Sequence, residues 1–158
     1  MRLLFAFALL ASLSASAVQP KAVLVGLWKS DHDLTMSFIQ RNVKMEDQAY
    51  KFLNSLMGHM TLKVTEDELH YDFPDHEVMV NSEKKPFEGF NGTSPYKVLY
   101  NDDRIVVISL IQPITGKSDV TIYHFDSDKI MWTYEGGAEP PVPDMHIREY
   151  FRRIEEAP

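Results

Sequence analysis

The histidines and the acids beside them are the residues of this chain whose types could hold a metal or move a proton. There are six histidines, and the closest groupings are Asp31-His32-Asp33, His70 with Asp72, and Asp75-His76. None has a recognised zinc spacing, such as two histidines four apart on a helix. His70 and Asp72 share one face of a strand, but the alternation turns that face to solvent, so solvated polar residues are the expectation and no metal is implied. Asp126-Ser127-Asp128 opens like a calcium loop, yet Ile130 occupies the next ligand position and the required Gly and Glu are missing. Nucleophilic catalysis finds no Gly-x-Ser-x-Gly and no cysteine. Glu66, Asp67 and Glu68 sit in a tight turn and read as solvated. Glu149 is the one acid that alternation sets inward, beside Ile147 and Phe151. An edge position, or a pairing with Arg148 or Arg153, is its favoured account. No catalytic set emerges, no cofactor is implied, and a non-enzymatic reading is preferred.

The elements that position these residues follow from a change of period. Val23 to Lys29 is a short apolar strand ending in Gly26-Leu27-Trp28. Ser30 to Gly58 reads as helix broken near Asn42, with Asp31 and Asp33 at its start and Glu46-Asp47 opening a second stretch. Ala49, Phe52, Leu53, Leu56 and Met60 recur at helical steps and make one apolar stripe. After His59 the period becomes two: Met60, Leu62 and Val64 alternate with Thr61, Lys63 and Thr65, and Leu69, Tyr71 and Phe73 with His70 and Asp72. Further strands are predicted at 77–82, 85–90, 95–100, 104–112, 118–125, 129–135 and 145–154. Strands this short, joined by tight turns, point to a mainly β fold: an antiparallel up-and-down meander barrel of about 8–10 strands, with a helical segment after the first.

In such a meander alternate turns lie at the same end. The tight acidic turns at 66–68, 82–84, 101–103 and 126–128 are therefore expected at one end. The longer connections at 74–76, 91–95, 113–117 and 136–144 make the wider mouth. The helical segment 31–58 begins and ends at that mouth and can act as a lid.

Met1-Arg2, the apolar run Leu3 to Leu13 and the small residues Ala15-Ser16-Ala17 form a secretory signal peptide, too short for a membrane span. Residues 1–17 are thus expected to be removed after Ala17, leaving 18–158 as one exported domain, periplasmic or secreted. Without cysteine it has neither disulfides nor a lipid-anchoring cysteine, so burial must stabilise it. The formal charge of −7, with no Lys/Arg cluster, argues against nucleic acid and anionic membranes. Asn91-Gly92-Thr93 is an N-glycosylation acceptor in a eukaryotic host and a turn in a bacterial one.

With Gly26-Leu27-Trp28 at the first strand, Ser30-Asp31 before a helical segment, and a final strand ending Tyr150-Phe151-Arg152-Arg153-Ile154, the chain resembles the lipocalin-like, or calycin, barrels of exported bacterial type. The resemblance implies that Gly26 and Trp28 form the barrel base, that Arg152 or Arg153 covers the indole, and that the barrel holds an interior pocket for a small apolar or amphipathic molecule. Alternation nominates Tyr71, Phe73, Phe87, Tyr96, Tyr100, Trp132 and Tyr134 as inward lining. The competing account is that these side chains fill an ordinary core. Two other readings stand beside it. One is an α+β domain, cystatin-like or nuclear-transport-factor-like, whose pocket could host an acid–base enzyme. The other is a filled-core interaction protein that uses strand 104–112, apolar on both faces, as a partner or homodimer edge.

Overall fold

In the computed structural model the described residues are 23–111, 116–135 and 147–155. The expected signal peptide and the Pro140 to Pro143 connection lie outside them. Strand β1 (Gly26–Ser30) leads into helix α1 (His32–Asn42), where the Asp31 carboxylate accepts the Leu34 N–H at 3.0 Å as an N-cap. Asp33 in the first turn and Arg41 in the last suit the helix dipole. Val43 is extended and ends α1, and α2 (Asp47–Leu56) follows after a short connection. The helical segment is therefore two helices with a break beyond Asn42.

Eight strands close an antiparallel barrel in the order β1, β10 (Ile147–Ile154), β9 (Ile130–Glu135), β8 (Ser118–Ser127), β7 (Ile105–Ile111), β6 (Phe90–Asn101), β3 (Glu68–Phe73) and β2 (Thr61–Val64). The fold is mainly β, as its period-two patterning demands, and not the α+β alternative. The interior rows read directly from the alternation: Leu62 and Val64 on β2, Val106, Ile108 and Leu110 on β7, and Tyr123 and Phe125 on β8 are all buried. These side chains make one contiguous core.

Two features depart from the expected meander. Strands β4 (His76–Val80) and β5 (Glu83–Phe87) pair only with each other, and β3 pairs directly with β6 from Phe73 opposite Phe90 onward. The reason lies in β5: Glu83, Lys84, Lys85 and Pro86 are exposed, so it has no apolar row to face a core. Its turn, with Asn81 and Ser82 both at positive φ, thus belongs to a hairpin above the mouth rather than to the tight-turn end. Residues 91–95, expected as a connection, lie within β6. Gly89 allows the return from the hairpin to cross β3, since a Cβ there would come within 2.3 Å of the Phe73 carbonyl oxygen.

The helices sit where the barrel opens. α1 packs on β10, and α2 packs on β4 of the hairpin. Met36 and Ile39 of α1, Leu53 of α2 and Met57 after it form a second buried cluster with Ile147, the first residue of β10. No helix among the described residues is long and apolar enough to cross a membrane.

Candidate functional site: the barrel interior and its mouth

The base is closed by Trp28. Its indole is fully buried, donates from Nε1 to the Leu24 carbonyl at 2.9 Å and meets the Phe125 ring edge-on at 6.0 Å. Arg153 is directly opposite Trp28 in the β1–β10 register, and its guanidinium carbon is 4.5 Å from the centre of the ring. The same guanidinium donates to the carbonyls of Val23, Val25 and Asp128, tying the segment before β1 to the base. Gly26, at φ +148°, leaves room for it: a Cβ would lie 3.1 Å from Arg153 Nη1. Arg152 points to the other face and grips Asp31 Oδ2 at 2.7 and 3.0 Å, joining β10 to the start of α1.

Above this apolar floor the interior turns polar toward the mouth. Ser30 at the end of β1 is buried and donates from Oγ to Glu149 Oε1 at 2.5 Å; the Gly58 N–H donates to that same Oγ at 3.1 Å. Glu149 is 3% exposed and has the parity of Ile147 and Phe151, so it faces inward rather than standing at an edge. Its neighbour across the β9–β10 ladder is the buried Thr133. A carboxyl this deep requires a polar partner, and the Ser30 hydroxyl is one. Tyr71 completes the polar set from β3: it packs against the core, and its hydroxyl is buried with no hydrogen-bond partner among the described residues.

The rim on the β3–β6 side is aromatic. Phe73 and Phe90 stack at 5.3 Å with their planes 1° apart, and Phe87 of the hairpin meets Phe73 at 5.4 Å. His59 and His76 join them, stacked on each other at 4.1 Å. Burial, then the neighbouring His76, holds the His59 imidazole below its ordinary pKa.

The seven nominated lining residues thus separate. Tyr71 and Tyr96 face the interior, while Phe73 and Phe87 meet at the rim. The Tyr96 hydroxyl donates to the Thr65 carbonyl at 2.7 Å, and burial followed by Asp67 and Glu66 pushes its pKa up to about 12. Tyr100 is half-exposed and bonds Asp102, because a bulge between Val98 and Tyr100 resets the alternation of β6. Trp132 and Tyr134 are on the outer face, since Met131, paired with Phe125, takes the inward row of β9. Outside, the Trp132 ring is sandwiched between His124 at 3.9 Å and the Arg148 guanidinium at 3.8 Å, and Phe38 of α1 lies on Arg148 at 4.5 Å. Burial, then Arg148, lowers the pKa of His124.

Ser30, Ser94, Thr133 and Glu149 are buried polar residues of the barrel strands that composition alone did not nominate. Only the inward parity of Glu149 signalled the set. His70 is on the outside and meets Thr93 Oγ1 at 2.7 Å. Among the described residues no group of three or more His, Asp or Glu could hold a metal ion. A separate open groove of about 400 Å³ runs along Lys29, Asp31, His32, Asp33 and Arg152, where Arg152 is already paired with Asp31.

No protein-family model, curated protein or solved structure matches this chain.

Proposed function

We propose that the chain is an exported, lipocalin-like carrier that holds a small amphipathic molecule in the upper barrel, its apolar part on the core and its polar end on Tyr71 and the Ser30–Glu149 pair. The observation that carries this reading is the Tyr71 hydroxyl, buried without a partner. An unmet hydroxyl in an apolar setting costs about 1–3 kcal/mol, and a ligand group that meets it recovers that cost. The closed barrel, with two helices packed at its mouth, supports the same reading, because such an arrangement shields the interior from water. Export rests on the N-terminal pattern of residues 1–17. The test is native mass spectrometry of protein purified from the exported fraction of its host. A bound molecule lost on denaturation, and carried at lower occupancy by Tyr71→Phe protein, is expected. Wild-type protein that carries nothing and takes up no member of an amphiphile panel would defeat the proposal.

A second reading, association through the outer face of the barrel, is favoured by one observation. Leu99 and Tyr100 of β6, Ile111 of β7 and Val120 and Ile122 of β8 are exposed. Register places Tyr100 beside Val107 and Val107 beside Ile122, making a continuous apolar strip that neither helix covers. Sedimentation equilibrium tests it: a homodimer that Ile122→Lys converts to monomer supports association, and a wild-type monomer at all concentrations rejects it.

A further inference from the structure

The β4–β5 hairpin, here called the flap, shares no ladder with the barrel and is held by packing on α2 and by a few side-chain contacts. The Met79 N–H donates to Ser55 Oγ at 2.8 Å, the Gln48 side chain reaches Asn81, and Val78 is buried. A further attachment is the cluster at its root, where His76 of the flap stacks on His59 at 4.1 Å and meets Phe73 and Phe87, each at 5.1 Å.

The hydrogen bonding of His76 at this root suits a neutral imidazole. His76 Nδ1 is 3.0 Å from the Pro74 carbonyl oxygen, an acceptor, so Nδ1 carries the proton. Nε2 is then a bare lone pair, buried with no partner among the described residues. Protonating it would create a buried donor without an acceptor and set a charge against the stacked His59 ring. Among the described residues the groups that act on the pair do little to offset that charge. Lys29 of β1, whose Nζ donates to the His59 carbonyl at 2.5 Å, and His32 of α1 both disfavour a cation at His59; the Ser55 carbonyl of α2 alone favours one. The nearby acids are engaged elsewhere: Asp33 with His32, Asp75 with the Gly89 N–H, and Glu77 of the flap with Lys84.

We infer that His59 and His76 form a latch that closes the β4–β5 flap over the barrel mouth only while both rings are neutral, and that proton uptake by the pair opens it. The depressed pKa of His59 agrees in sign: a histidine held below its unfolded value of 6.5 stabilises the closed form above that pH and loses this contribution as pH falls. Acid release of a bound molecule rests on the carrier reading; opening of the flap does not.

Hydrogen exchange, expressed as protection factors at each pH, tests the latch in the full chain between pH 7 and pH 5. Protection at residues 76–87 is expected to fall by up to about tenfold per pH unit for each proton taken up, while β7 at Val106 and Ile108 keeps its protection. His76→Phe, which preserves the aromatic stack without a titratable nitrogen, should abolish most of the fall, and His59→Phe provides the independent second variant. An equal fall in wild type and both variants, or loss of β7 protection together with the flap, overturns the latch. A flap transition without uptake of any amphiphile would retain the latch and reject the carrier.

Discussion

Replacing Tyr71 with Phe removes one oxygen atom and should move stability and binding in opposite directions. In the free protein the Tyr71 hydroxyl is buried beside the core and bonds to none of the described residues. Its removal relieves a desolvation cost of about 1–3 kcal/mol, less the loss of dispersion contacts around one atom, so a net gain of about 1 kcal/mol is expected. For a domain of this size that raises Tm by about 3–5 °C. Binding should respond the other way, because the ligand's polar group loses its partner. A loss of about 1–1.5 kcal/mol corresponds to roughly a five- to tenfold weaker Kd. Urea unfolding of ligand-free protein provides the first quantity. Titration with a fluorescent amphiphile, anilinonaphthalene sulfonate, provides the second. A ligand-free Tyr71→Phe protein that is less stable than wild type by 1 kcal/mol or more would refute the reasoning, since the hydroxyl must then have had a partner. Unchanged affinity would remove Tyr71 from the site.

Trp28→Ala should cost about 3–5 kcal/mol in chemical denaturation, because it empties the fully buried base and strands Arg153 above a cavity; a loss below 1 kcal/mol would mean that the base collapses freely. Gly26→Ala should destabilise by about 1–3 kcal/mol, combining a strained positive φ with the crowding of Arg153, and pairing it with Arg153→Ala should recover only the second part. Tyr96, raised from its ordinary 10 to about 12, keeps its proton in the folded state after the unfolded chain has lost it. Its contribution to stability is therefore complete below pH 10 and declines between pH 10 and 12. Urea unfolding across that range should show a decline that Tyr96→Phe flattens, and an equally steep decline in the variant would assign it to other groups.

What local sequence determined is the inventory of elements. Ten runs of β-prone residues broken by turn residues, and a period of 3.6 confined to 31–58, are written in neighbouring positions, so the strands, the two helices and their place after β1 could be read without knowing any contact. The alternation also held wherever a strand was regular, as in Leu69, Tyr71 and Phe73. Tertiary structure alone decided which face each strand presents beyond an irregularity. The bulge at Val98 put Tyr100 outside, and on β9 either Met131 or Trp132 could have filled the core; pairing with Phe125 gave the place to Met131, and Arg148 and His124 gave Trp132 cover outside. The removal of β4–β5 from the barrel depended likewise on β6 pairing with β3. Glu149 and Ser30, 119 residues apart, became one buried hydrogen bond only when the last strand closed on the first. The physical reason is common to all of these. Periodicity is a property of adjacent residues and is reversed by a single inserted one, whereas pairing, closure and the satisfaction of buried polar groups are set by partners that only the assembled barrel brings within reach.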